Sequence, residues 1–402
     1  MRIRAIALTR SLLAAALFIS VSLACAGAAA AADPPFTFVV HTAPQGAVGA
    51  YLSADGRVVA GSLGGAATDK RPVYWVGDRP AEAFVPIPMP NDPNAVMART
   101  TAISGNGKVI AGYYGLSDYP QDYARIWRHQ VGDSITTRIT SPSNPTIGAN
   151  DAQVTAINYD GSVIVGRYFG SATGSSNGGF RRTADGVVHP LDILFPNAVS
   201  PDGSIVVGGV GNSGSIWREA GNTLTNLPFG ATALTPDGSI VGGSSTFLMP
   251  QPGGGNLLLE KAVLWQQGTL TELGDLPGGN YRSEVSDLSA DGTIAVGSSD
   301  GGDIYNAYIW DAAHGMRSIQ SMVSDAGYDL TGLWLNDAVS ISDDGVTIAG
   351  TGLDVAHSNL GFVWVINPVV PEPSSAIALL TIGTLSASMI RRKSCRQRGM
   401  TE

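Results

Sequence analysis

One phrase, repeated seven times, restricts the fold of this 402-residue chain more than any other feature. It runs Ser, Thr or Asn, one further residue, Asp-Gly, then a β-rich stretch ending in Gly. The copies are LSADGRVVAG, ISGNGKVIAG, INYDGSVIVG, VSPDGSIVVG, LTPDGSIVGG, LSADGTIAVG and ISDDGVTIAG. Their turn residues are Asp55, Asn106, Asp160, Asp202, Asp237, Asp291 and Asp344, spaced by 51, 54, 42, 35, 54 and 53 residues. A period near 48 marks a chain built of stacked supersecondary units, as in propellers and solenoids. Asp-Gly suits a hairpin because Gly accepts the positive φ of the turn while the Asp side chain caps nearby amides. These seven residues are therefore structural turn positions.

An aromatic residue keeps step with the phrase: Trp75, Trp127, Phe180, Trp217, Trp265, Trp310 and Trp364, mostly 19 to 21 residues after the turn. Such a side chain is expected to pack between adjacent units, since one small sheet cannot bury both its faces alone. The 35-residue repeat leaves no room for insertions and exposes the unit. Its strands are expected at 204–208, 215–218, 223–227 and 231–235. Seven such units over residues 36–367 give about 47 residues each, which predicts an all-β fold, a seven-bladed β-propeller of four-stranded repeats. The last repeat stops near Pro368 short of two strands, while 36–41 and 47–53 open the repeats without partners; the two ends are expected to complete one blade. An open β-solenoid would call for shorter repeats and dedicated caps. A helix is expected at 316–326.

The termini read as sorting segments. Arg2, Arg4 and Arg10 precede an apolar run at 11–24, and an Ala-rich stretch reaches Ala30 and Ala32 before Asp33, which predicts a signal peptide over residues 1–32 cut after Ala32. The repeat body then spans 33–367 and a linker 368–373. An uncharged stretch at 374–390 has the minimum length for a membrane-crossing helix, and a basic tail, 391–402, would stay cytoplasmic. Both cysteines, Cys25 and Cys395, lie in these end segments, so the body must be stabilised without disulfides. Setting aside three arginines in the leader, and five basic residues and one acid in the tail, changes the formal charge from −9 to about −16 for what remains. Such a charge disfavours nucleic acid as a partner, and favours anionic polymers only where cations bridge them.

The segment Pro371-Glu372-Pro373, followed by the apolar stretch and Arg391-Arg392-Lys393, resembles the PEP-CTERM sorting signal. The phrases, their Trp strands and the connector Leu-Gly-Asp-Leu-Pro-Gly-Gly at 273–279 resemble HAF-type extracellular repeats. The resemblance implies passage through the Sec export machinery, membrane anchoring by the C-terminal helix, and recognition of Pro371, Glu372 and Pro373 by an exosortase. Cell-surface or extracellular localisation would follow. It brings no catalytic residue, no metal and no cofactor.

Searching the body for chemistry yields little. Gly297-Ser298-Ser299-Asp300-Gly301 matches a nucleophile elbow, but that motif must join a strand to a helix, whereas here it closes a β-strand. Gly209 to Gly214 matches a dinucleotide fingerprint but leads into another strand. The histidines His41, His129, His189, His314 and His357 are scattered. Asp300, Asp303 and Asn306 offer oxygen ligands for calcium without the EF-hand spacing, and Asp118, Tyr119, Asp122 and Tyr123 form an acidic aromatic loop suited to stacking on sugars. The expectation is a non-enzymatic propeller that binds glycan or protein at a cell surface or in an extracellular matrix. Two alternatives are a glycan-active hydrolase using carboxylates from several blades around the channel, and an inert rigid spacer.

Overall fold

The computed structural model describes residues 36–368, apart from 42–45, 65–69, 77–83, 90–91, 93–94, 117–118, 140–151, 169–177, 251–253, 280–281, 303–304 and 356–359, and apart from the side chains of 96, 116, 119–124, 360 and 368. Seven four-stranded antiparallel sheets form the blades. Six are continuous in sequence, over residues 47–86, 95–138, 152–191, 196–227, 230–274 and 283–318; the seventh joins 333–368 to the strand Phe36–His41. The first strand of each blade packs on the first strands of both neighbours, and that contact runs unbroken from the seventh blade back to the first. The chain is therefore a closed seven-bladed β-propeller whose first strands line a central channel.

Each repeated phrase builds the connection between the first and second strands of its blade. In the fourth blade the Ser200 hydroxyl donates to Asp202 Oδ1 (2.6 Å), which also accepts from Ser204 N (2.9 Å), while Ser200 Oγ accepts from Ile205 N (2.9 Å). Gly203 turns the chain at φ 77°. Asn106 substitutes for Asp without loss, accepting from Ser104 Oγ and Lys108 N through Oδ1. The two bonds to the Asp recur at Thr183 and Asp185, which close the hairpin between the third and fourth strands of the third blade, with the Thr183 hydroxyl donating to Val187 O where the phrase has it accept an amide. The phrase thus encodes a turn, and the period comes from where it is used.

The Gly that ends each phrase has a different task. Every first strand carries a β-bulge four to seven residues before its turn residue, as between Thr100 and Ala102 or Ala338 and Ser340. The bulge pushes a first-strand carbonyl against the second strand. A Cβ at Gly112 would overlap Arg99 O, one at Gly297 would overlap Glu284 O, and one at Gly350 would overlap both Asp337 O and the Trp364 ring.

The aromatic residues pack towards the preceding blade. Trp127 lies with Val58, Ala60 and Tyr74 of the first blade, and Trp364 with Val296 and Ile309 of the sixth; both are fully buried. Trp75 and Phe180 are buried in the same way, whereas Trp217, Trp265 and Trp310 are only partly covered.

Three expectations need correction. The strand expected at 231–235 belongs to the next blade, as Gly230–Leu234, because the true unit begins before the phrase and not inside it. For the same reason closure requires one strand, not two: Phe36–His41 pairs with Leu360–Pro368 as the outer strand of the seventh blade, and Ala47–Leu52 opens the first. The helix is confined to Ile319–Asp325, capped by Ser318 and seated through Ile319 and Val323, while Gly315–Ser318 completes the sixth sheet. No helix among the described residues is long and apolar enough to cross a membrane.

Candidate functional site: the central channel

At the end of the channel where the turns gather, a cavity of about 170 Å³ is lined by residues of all seven blades, among them Leu52, Ile103, Ile157, Leu234, Leu288 and Ile341. Backbone hydrogen bonds from blade to blade frame this mouth: Ala54 N to Gly105 O, Asn106 N to Tyr159 O, Tyr159 N to Pro201 O, Ala290 N to Asp343 O and Asp343 N to Ala54 O, at 2.8 to 3.2 Å. Pro201 and Pro236 have no N–H, so neither can donate to the next turn. Side chains cross those junctions instead. Asn197 Nδ2 donates to Ala231 O (2.8 Å), Arg218 to Gly238 O (3.0 Å), and Thr232 Oγ1 to Val285 O.

Asp287, one of the two carboxylates lining this cavity, has both oxygens hydrogen-bonded. Its Oδ1 accepts from Leu288 N (2.9 Å) and its Oδ2 from Ile341 N (2.9 Å) and Ser340 Oγ (3.0 Å). Ser340 Oγ in turn accepts from Leu52 N (3.3 Å), so one carboxylate ties together blades six, seven and one. Burial pushes its pKa up to about 6 against the pull of the two amides. With both oxygens committed to blade contacts, Asp287 is a clasp.

The opposite end of the first strands differs from blade to blade. The residues seven positions before the turn are Val48, Arg99, Gln153, Phe195, Gly230, Glu284 and Asp337. Glu284 accepts from Ser298 Oγ (3.2 Å), and burial together with the charge of Glu260 raises its pKa. Asp337 accepts a long bond from Ser286 Oγ (3.4 Å); burial and the charge of Glu284 raise it to about 6. Among the described residues, neither carboxylate has an ion-pair partner. Across the channel Gln153 accepts from Arg167 Nη2 (2.7 Å) and Nε (3.0 Å), and that guanidinium lies 5.4 Å from the Phe195 ring centre. Blades six and seven thus present acids, and blades two and three present Arg99, Gln153 and Arg167.

Of the residues singled out in the sequence, the seven turn positions surround one mouth and the seven aromatics lie between blades. Ser299 of the elbow-like segment is fully buried and accepts from Leu276 N (3.0 Å), which removes it from any nucleophilic role. Ala30, Ala32, Asp33, Pro371, Glu372, Pro373, Arg391, Arg392 and Lys393 lie outside the described residues, as do Asp303, Asp118 and the side chains of Tyr119, Asp122 and Tyr123. Glu284, Asp337 and Arg99 escaped the sequence reading because they do not repeat. Aligning the phrases and reading seven residues upstream would have found them.

No family model matches this chain, and no curated protein does. Solved structures do. The β-propeller domain of the Trilobed protease from Pyrococcus furiosus, described as having an open velcro topology, is 13% identical with a TM-score of 0.51, over 82% of this chain and 99% of that one. TolB from Acinetobacter baumannii is 12% identical with a TM-score of 0.40, over 83% of this chain and 79% of that one. At 13% identity the likeness to the Trilobed protease domain shows the propeller fold and nothing finer.

Proposed function

We propose that this is an exported propeller, carried through the Sec machinery and sorted by an exosortase at Pro371-Glu372-Pro373, that serves as a non-enzymatic binding component of the cell surface or extracellular matrix. The observation that carries the reading is the position of the two ends. Phe36 pairs with Pro368, and Ile366 pairs with Ile348 directly after the Asp344 turn, so both ends of the ring leave on the turn face. A C-terminal membrane segment would hold that face towards the bilayer. The opposite mouth, with Arg99, Gln153, Glu284 and Asp337, would then face outward, where a polar ligand such as a glycan would reach it.

Intact-mass and C-terminal peptide analysis of native protein from membrane and culture-supernatant fractions tests the sorting. A chain ending near residues 371–373 is the expected result; a membrane form ending only at Glu402 would refute processing. A second reading, cleavage of glycans, is favoured by one observation, the raised pKa values of Glu284 and Asp337 on adjacent blades. Glycoside hydrolysis needs two carboxylates about 5 to 10 Å apart, one of them protonated. Activity on a glycan panel that is lost in both Glu284→Gln and Asp337→Asn would replace the binding role with catalysis.

A further inference from the structure

The repeat supplies its own comparison between blade junctions. Between blades three and four, Arg181, the residue after Phe180, reaches forward: its Nε donates to Gly203 O (2.8 Å), and its Nη1 and Nη2 each meet a Glu219 carboxylate oxygen at 3.2 Å. Glu219 stands two residues after Trp217. The equivalent pair between blades two and three is Arg128, after Trp127, and Arg182, two residues after Phe180. Where one junction has a guanidinium facing a carboxylate, its neighbour has two guanidiniums.

Burial, and then the nearby charge of Arg128, lower the pKa of Arg182. Among the described residues neither has an ion-pair partner, and Arg128 Nε is buried without a hydrogen-bond acceptor. Asp185 is near enough to act on Arg182 electrostatically, but its Oδ1 is held by Thr183 Oγ1 and Val187 N. The surroundings are also the least acidic of the molecule. Residues 95–191 contain eight of the sixteen Lys and Arg found in 33–367, against six acids.

We propose that the groove between blades two and three, bounded by Arg128 and Arg182, is an anion site that takes a carboxylate where Glu219 sits at the next junction, and that its ligand is a uronate of an acidic polysaccharide. A planar carboxylate fits two guanidinium forks, which explains why the site uses arginine. The site also lets an acidic protein bind an acidic polymer without bridging cations. Only the polymeric source of the uronate rests on the matrix-binding reading; the anion site stands on the junction itself.

The test uses the purified full-length protein, galacturonate and trigalacturonate, with galactose and inorganic phosphate as controls at constant ionic strength. Galacturonate is expected to raise the melting temperature of the wild type, and trigalacturonate to bind in calorimetry. Arg182→Glu should install the ion pair of the neighbouring junction, keeping or raising the ligand-free melting temperature while weakening uronate binding about tenfold or more. Arg128→Gln should weaken binding similarly, which keeps the test open if Arg182→Glu fails to fold. Equal uronate response in wild type and variants overturns the site, as does equal protection by galactose, or protection by phosphate alone. Retention on immobilised polygalacturonate tests the source separately: uronate binding without retention would keep the anion site and refute the polymer.

Discussion

Two kinds of glycine recur in the chain, and substitution separates them. Gly268 turns the hairpin after Gln266 at φ 87°, and no atom lies within 4 Å of where a Cβ would stand, so an added methyl group meets only backbone strain. Gly268→Ala is expected to cost about 1 kcal/mol. Gly350 accommodates the bulged first strand and the Trp364 ring, and a Cβ there would overlap both, with fully buried surroundings that cannot yield. Gly350→Ala should cost about 3 kcal/mol or more by urea denaturation. Comparable losses in the two variants would show that the phrase-ending Gly is not there to admit the bulge. The turn Gly of the phrase announces itself in the sequence as Asp-Gly or Asn-Gly, a mark that Gly268 after Gln267 lacks, whereas the phrase-ending Gly could be seen to recur but not explained, because the carbonyl it admits comes from a strand whose bulge leaves no mark on local sequence.

At the level of strands and turns, the channel is held by short polar side chains that reach one blade forward. Asp287 is the most connected of them, accepting from Leu288 N, Ile341 N and Ser340 Oγ. An Asn at this position would present one acceptor and one donor to two backbone amides, leaving one of them facing an N–H. Asp287→Asn is therefore expected to lose about 1 to 3 kcal/mol in urea denaturation despite its near-identical shape; an unchanged midpoint would show that the clasp contributes nothing. This level also marks the limit of what sequence alone conveys. Seven blades, four strands each and closure of one end upon the other were legible from period and spacing. The phase of the unit was not, because a repeat read from its most visible phrase starts at the wrong strand, and that error displaced 231–235 and doubled the closing strands. Asp287, Glu284 and Asp337 were invisible for the opposite reason: each occurs in a single repeat, and their environment exists only once neighbouring blades meet.

Over the whole molecule two sets of carboxylates titrate with opposite consequences for stability. Asp160, Asp202, Asp237 and Asp291 accept hydrogen bonds from turn hydroxyls and amides, which lowers their pKa values below the ordinary 3.8. Their contribution is present above that ordinary value and is lost as pH falls through their lowered ones. Asp287 and Asp337 are raised by burial from 3.8 to about 6. The native state binds their protons more tightly than the unfolded chain, so their contribution is complete below 3.8 and is lost as pH rises through 6. Acidification from pH 7.5 to 5 should therefore raise the urea midpoint, and acidification below about 3.8 should lower it, placing the maximum near pH 4 to 5. Asp337→Asn should flatten the upper limb, since it removes one of the two groups that create it, while leaving the acid limb to the turns. A midpoint that stays level between pH 7.5 and 5, or an Asp337→Asn profile that superimposes on the wild type, would show that these channel carboxylates are as well solvated in the closed ring as in the unfolded chain.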